Sequence, residues 1–314
     1  LIDAVLESVE HAPDHLKRAS LRIRLGENGD MFLNPDAIEI MRKVRRRLSG
    51  ATLELYNHFY LVEPSLTDVL LKERLVDAVY LNIDGMHDNY RKAKGIHLDR
   101  PLANLRYFIA RRNSLGLRIP VSVRALTLSD YVATVSTNYH TSPRLVDPDD
   151  LDAAQDYAEL ASLMRGILTP RLDSFKKSIV TLWGERDSLR ELGIDEGKFA
   201  CPLLFRIQRE LCVRPDGGCY LCCADSKQEL LIGNLAEESF EAVVLGETRR
   251  FYIECLQRRH YDSIGGPCMT VYCCQIHHKS RLVTRAFRLM TQYGWLLRMS
   301  YEFWRRAWGV IRIP

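Results

Sequence analysis

The chain has 314 residues, enough for about two domains with a sizeable core, and its 46% hydrophobic and 27% charged content excludes a disordered chain. The formal charge of +4 is unevenly spread: Lys279 and seven arginines against Glu302 place +7 in residues 279–314, leaving the rest slightly acidic, so only the tail invites an anionic partner. No apolar run approaches the roughly 18 residues of a spanning helix.

Residues 1–20 carry Asp3, Glu7, Glu10 and Asp14 where a signal peptide would be apolar, so a cytoplasmic protein with reduced thiols is expected. The chain opens on Leu1, and a fragment of a longer protein is expected. Ile2, Val5, Leu6 and Val9 at helical spacing predict a helix ending near Pro13. LRIRL (21–25) alternates like a strand and runs into the glycine loop GENGD (26–30). Pro35 is read as opening the helix PDAIEIMRKVRRRL, with proline in the first turn and acids early. TLELYN (52–57) is a second strand, followed by a helix to about Leu71, and VDAVYLNID (76–84) is a third, closing on Gly85. A helix over 101–115, a strand over 119–128, a helix over 150–166 and a fifth strand, SFKKSIVTLWG (174–184), complete the region.

Such alternation predicts an α/β fold with a parallel sheet or barrel. Ligand groups in these folds sit just past the carboxyl ends of strands. The residues there are Gly29 and Asp30, Asn57 and His58, Asn82, Asp84 and Gly85, and the segment around Arg124.

All nine cysteines fall between Cys201 and Cys274, and none precedes them. Segregated thiols in a reduced compartment favour metal over disulfides. FRIQRELCVR, the turn PDGG and CYLCCAD read as a hairpin. Its alternation sets Cys219 and Cys223 on one face and Cys222 on the other. Cys212, mid-strand, and Cys255, mid-helix, read as small buried hydrophobes. Four thiolates at two turns also suit zinc, although zinc ribbons pair close knuckles and Cys201 stands alone.

Taken together these stretches resemble a radical S-adenosylmethionine (SAM) enzyme with a SPASM- or twitch-type auxiliary iron–sulfur domain. NGDMFLNPD (28–36) is similar to the family's Gly-Glu-Pro loop, with Met31 where proline is usual. LELYNH (53–58) stands at the strand ending in Thr-Asn-Gly. VYLNIDG (79–85) and HDNYRKAKG (87–95) resemble the Ser-Ile-Asp-Gly strand and its sequel. The cysteine block is similar to the family's CPxxF…PDGxxxxCCxD…IGNL…C…C pattern.

The resemblance implies a partial (β/α)6 TIM-like barrel over 1–185, lacking its first strand and cluster loop. A small cysteine-rich hairpin and helix domain follows over 186–279, and an amphipathic helix over 280–314. It implies that Gly29 and Asp30 meet the amino group of SAM, that Asn57 belongs to the same cofactor site, and that Asn82 and Asp84 lie near the ribose. It implies one auxiliary [4Fe–4S] cluster on Cys201, Cys222, Cys268 and Cys273, with Cys274 the alternative to Cys273. Tyr90, Arg91 and Arg124 are further candidates to face the cavity.

The family's radical-generating [4Fe–4S] cluster rides on a Cys-x3-Cys-x2-Cys loop, and no cysteine precedes Cys201. A chain cut just after that loop, with this second cluster in the segment ahead of Leu1, is expected. The alternative is a non-catalytic iron–sulfur or zinc protein with a degenerate barrel. Expected partners are a peptide or small-molecule substrate and an electron donor such as ferredoxin or flavodoxin, with no nucleic acid. In the tail, two arginine stripes shift around Gly294 opposite Trp295, Phe303, Trp304 and Trp308. This reads either as a peripheral membrane helix or as a helix packing on protein.

Overall fold

The computed structural model describes residues 2–13, 21–26, 29–83, 85–127, 133–135, 144–146, 153–179, 182–185, 201, 204–223, 225, 228–265, 268 and 271–274. They belong to one compact unit, Leu1–Cys274. Expectations for Asp84, residues 186–200 and the tail fall outside the described residues. No helix among those described is long and apolar enough to cross a membrane.

After helix α1 (Ile2–Glu10), strands and helices alternate as β1 (Arg22–Leu25), α2 (Ala37–Arg47), β2 (Thr52–Tyr56), α3 (Pro64–Lys72) and β3 (Ala78–Ile83). Then come α4 (His87–Lys94), α5 (Asp99–Ser114), β4 (Val121–Thr127), the short pair β5 (Ala133–Val135) and β6 (Arg144–Val146), α6 (Ala153–Ile167) and β7 (Ser174–Ile179). The main sheet has the order β1-β2-β3-β4-β7, and every neighbouring pair is parallel. Five parallel strands with helices in the connections form the partial α/β barrel that the alternation predicts.

The two faces of this sheet differ sharply. Leu53, Leu55, Val79, Leu81, Val121 and Val123 are fully buried, and most of them join Phe59, Leu105 and Phe108 in the main core. The opposite face carries Arg22, Arg24, Glu54, Tyr56, Tyr80, Asn82, Ser122, Arg124, Ser174 and Lys176, as the strand registers require. The sheet is thus apolar on one side and polar to charged on the other.

Beneath the main core a buried ion pair locks the amino ends of two strands. Arg112 and Asp173, both wholly buried, pair through Nη1 and Oδ1 at 2.5 Å and through Nη2 and Oδ2 at 2.9 Å. Arg112 also donates to the Ile119 carbonyl and Thr169 Oγ1, while Asp173 accepts from the Val121 and Thr169 amides. Every lone pair and proton of the pair that points inward is thus used, which a buried charge requires.

Three expectations change. The helix expected from Pro35 begins at Ala37. Asp30 caps a 3-10 turn over Met31–Leu33 through the Phe32 amide, and Asn34 Oδ1 takes the Asp36 amide, so Pro35 sits in a turn. SFKKSIVTLWG is two strands: β7 closes the parallel sheet and β8 (Leu182–Glu185) leaves it to pair antiparallel with β12 (Val271–Cys274). FRIQRELCVR is not a strand throughout. It forms helix α7 (Leu204–Ile207) and then the short β9 (Cys212–Val213). Burial of Leu204 and Ile207, three apart, and an Arg206–Glu210 bridge at 2.8 Å favour the helical turn.

Beyond α7, β9, β10 (Gly218–Tyr220) and β11 (Leu231–Asn234) make a small antiparallel sheet in the order β11-β10-β9. Helices α8 (Phe240–Leu245), α9 (Glu247–Arg258) and α10 (Tyr261–Ile264) follow it. At the β9–β10 turn Gly217 has φ +85, and a Cβ there would meet Asn234 Oδ1 at 2.6 Å; only glycine fits. Helix α1 joins the two regions. Its Leu6 packs with Val44 and Leu53, while Val5 packs against the cluster around Cys222 and Leu256.

Candidate functional site

The candidate site residues fall into two groups, one at the carboxyl ends of the parallel strands and one in the cysteine-rich region. At the strand ends, Gly26 turns the chain out of β1 with φ +82, its backbone so close to the Tyr56 carbonyl that a Cβ would lie 2.4 Å from that oxygen. Gly29, also at positive φ, faces open space. Asp30 then aims its carboxylate inward: Oδ1 accepts from the Phe32 amide at 3.0 Å and from Asn57 Nδ2 at 2.8 Å. Asn57 in turn accepts the Phe59 amide at Oδ1 and donates its own amide to the Tyr80 carbonyl.

The loop after β1 and the end of β2 are thus one hydrogen-bonded unit, with Gly29, Asp30 and Asn57 together. Asn82 lies further along the sheet, half-buried on β3 and in register with Arg124 of β4, which is in register with Lys176 of β7. Arg124 lies on the polar face of the sheet. Tyr90 does not: it is fully buried in the main core among the helices. Arg91 is on the exposed side of α4, paired with Asp88 at 3.2 Å.

The centre of the polar face was not singled out from sequence. The rings of Tyr56 and Tyr80 stack with centroids 4.6 Å apart and planes 13° from parallel, and the Arg124 guanidinium lies 5.6 Å from the Tyr80 centroid. Glu54, 3% exposed, pairs with Arg24 at 3.2 Å and Arg22 at 3.5 Å. Burial, then the Glu54 charge, pushes the Tyr80 phenol up, so it stays a neutral hydrogen-bonding group. The signal was present in the alternation of RIRL, TLELY and AVYLNI, whose even positions, Ala78 apart, are polar while the odd ones are apolar.

In the cysteine-rich region, Cys201, Cys222 and Cys268 all pack in one cluster with Cys219, Cys255 and Tyr261. The Cys268 thiol is pushed up to about 12, first by burial, then by the neighbouring charges of Cys201 and Asp225. Tyr261, likewise raised to about 12 by burial and by Cys201, lies against the same two cysteines. Asp225, 1% exposed, ties the loop after Cys222: its amide donates to the Cys222 carbonyl and its Oδ2 accepts from the Leu230 amide. Its Oδ1 is buried without a hydrogen-bond partner.

Three cysteines and a half-satisfied carboxylate share this cluster, and once deprotonated the thiols would give the soft thiolate donors that an iron–sulfur centre takes. Among the described residues, no three such side chains already converge on a single metal position. Cys273 and Cys274 pair through their backbones with Trp183 and Leu182, and their side chains are outside those described, so the choice between them stays open. Cys219 is wholly buried, donates from Sγ to the Gly217 carbonyl at 3.5 Å, and is raised to about 11 chiefly by burial. Cys255 is buried on α9, as expected of a small hydrophobe. The expected alternation of Cys219, Cys222 and Cys223 does not hold, because β10 ends at Tyr220 after a register shift and the last two lie in the following turn.

Residues 201–279 match the model of the SPASM family, an iron–sulfur cluster-binding domain. No curated protein matches the chain. Among solved structures, BtrN in complex with AdoMet and 2-DOIA is 11% identical with a TM-score of 0.46, over 86% of this chain and 78% of that one. Native anSMEcpe with bound AdoMet is 10% identical with a TM-score of 0.49, over 87% and 80%. SuiB of Streptococcus suis is 12% identical with a TM-score of 0.43, over 77% and 59%. Over residues 201–279 the chain is therefore similar to the SPASM iron–sulfur cluster-binding domain.

Proposed function

We propose that the chain is the SAM-binding and auxiliary-cluster part of a radical SAM enzyme acting on a peptide or small molecule. The observation that carries this reading is the SPASM match on the cysteine block, preceded by a parallel sheet whose strand ends hold the joined Asp30 and Asn57. When bound, a reduced [4Fe–4S] cluster held by residues other than those of the cysteine block would supply one electron to SAM, whose S–C5′ bond would break to give methionine and a 5′-deoxyadenosyl radical able to take a hydrogen atom from substrate.

In this reading the residues of the chain position the reactants. The free oxygen of Asp30 draws the ammonium of SAM, and Asn57 holds the carboxylate in place through its 2.8 Å bond. Asn82 offers an amide to the ribose hydroxyls. The stacked Tyr56 and Tyr80 floor the polar face and exclude water from the ligand above them. Cys201, Cys222 and Cys268, with Cys273 or Cys274, would hold the auxiliary cluster. An electron donor of the ferredoxin or flavodoxin kind supplies the reducing equivalent.

The test is anaerobic reconstitution of the chain together with whatever its gene encodes ahead of Leu1, followed by dithionite and SAM. Release of 5′-deoxyadenosine is expected. Bound iron without any 5′-deoxyadenosine would instead favour the non-catalytic scaffold. Bound zinc in place of iron would overturn the radical SAM reading and favour the zinc form of that scaffold.

A further inference from the structure

On the polar face of the parallel sheet, Arg124 and Lys176 are direct register partners on β4 and β7. Partners in a parallel ladder project to the same side, and adjacent strands are about 4.8 Å apart. Two cations are therefore held side by side on the ligand face. Like charges so placed repel one another, which makes the sheet less stable unless an anion lies between them.

Among the described residues, no such anion is paired with either cation. The other arginines of this face, Arg22 and Arg24, are neutralised by Glu54 and Glu210. Arg124 makes a ring contact with Tyr80, and neither it nor Lys176 has an acidic partner among the described residues. Neighbours in the two rows are Asn82, Ser122 and Ser174, all neutral, with Ser174 Oγ donating to Ser122 Oγ at 3.1 Å.

We propose that Arg124 and Lys176 bind an anionic group, a carboxylate or a phosphate, of the molecule on which the enzyme acts. This rests on the proposed radical SAM reading for the identity of the second ligand. The alternative source of a carboxylate is SAM itself, and the geometry argues against it. The ammonium and carboxylate of SAM share one carbon, so they lie within about 4 Å of each other by standard bond lengths. With the ammonium at Asp30, beside β2, the Lys176 strand is three strand spacings away, about 14 Å. SAM also bears two positive groups, which a cationic row repels. The row is suited to a different ligand of opposite charge lying over the β3–β7 side of the face.

The experiment is calorimetric titration of the full chain at low ionic strength with inorganic phosphate, with succinate and with SAM, each separately. Wild type, Lys176→Gln and Arg124→Gln are compared; the exposed Lys176 can be changed without disturbing the fold, which guards against a trivial loss. Saturable phosphate or succinate binding that weakens about ten-fold in either variant, with SAM affinity unchanged, supports the proposal. Absence of anion binding in wild type, or binding indifferent to both substitutions, overturns it. A parallel loss of SAM affinity in Lys176→Gln also overturns it, since the row would then hold the carboxylate of SAM. If anions bind as described but SAM binds to none of the three, even when whatever the gene encodes ahead of Leu1 is included, the anion site stands and the radical SAM reading falls.

Discussion

Arg24 reaches Glu210 at 2.7 Å, and with this contact the first strand of the parallel sheet is tied to the chain between α7 and β9, just ahead of the small cysteine-rich sheet. The same guanidinium holds Glu54 at 3.2 Å. The two carboxylates differ in what they lose without it: Glu210 is 30% exposed on its side chain and Glu54 only 4%. Glu210→Gln should therefore cost under about 1 kcal/mol. Arg24→Met should cost about 2–3 kcal/mol, because it leaves a buried carboxylate with only the longer Arg22 contact. Urea denaturation of both variants measures the difference.

At the opposite end of the strands, Asp173→Ala should destabilise by about 3–5 kcal/mol, since it strands the fully buried Arg112 charge and two backbone amides. Because the pair lies at the amino ends of β4 and β7, away from the strand-end site, ligand binding at a temperature where the variant is folded should be preserved. Thermal melting and SAM titration together check both halves.

Asn57→Ala removes the bond that orients Asp30 and leaves the Phe59 amide unpaired. SAM affinity should fall about ten-fold or more. Gly26→Ala should do the same by another route: the new Cβ meets the Tyr56 carbonyl oxygen and the residue is held at positive φ. Equilibrium dialysis with labelled SAM reads both.

Iron content should separate the cysteines. Serine at Cys201, Cys222 or Cys268 should abolish retention of the auxiliary cluster, whereas serine at Cys212 should leave it. Of Cys273→Ala and Cys274→Ala, one should lose the cluster and the other keep it, and iron analysis after anaerobic reconstitution identifies the ligand.

The metal-free chain should be sensitive to alkali. The native thiols of Cys219 and Cys268 are raised to about 11 and about 12 from 9.0. The folded state thus favours the protonated form, and this contribution is complete below pH 9 and lost as pH rises through 11 to 12. Cys219→Ala should reduce the loss between pH 9 and 11 by an amount on the order of 1–2 kcal/mol. Denaturant midpoints of metal-free wild type and variant across that range test it.

Local pattern carried the parallel sheet. The alternation of LRIRL and AVYLNI, and the turn residues that end each strand, are visible within a few positions of one another. What the pattern missed is long-range. Leu182–Glu185 looks like the continuation of β7, and only its register with Val271–Cys274, far along the chain, makes it a separate strand. The block FRIQRE has enough branched and apolar residues for a strand, but the Arg206–Glu210 bridge and the anchoring of the Ile207 carbonyl by Arg249 hold it as helix. At the site, Asp30 and Asn57 were each legible alone as strand-end residues; their mutual bond depends on β1 and β2 being neighbours. Asp225 stood in the CCAD motif with no role until its carboxylate proved to be buried beside Cys268.

The antiparallel pairing of β8 with β12 governs how this protein can be divided for study. A fragment beginning at residue 186 would carry every cysteine yet discard the partner of Val271–Cys274. It would thereby expose an apolar strand edge bearing two thiols, a template for aggregation and stray oxidation. Starting four residues earlier, at Leu182, would bring the missing strand along. For an isolated cysteine-rich module, that small extension should decide between a soluble preparation and a precipitate.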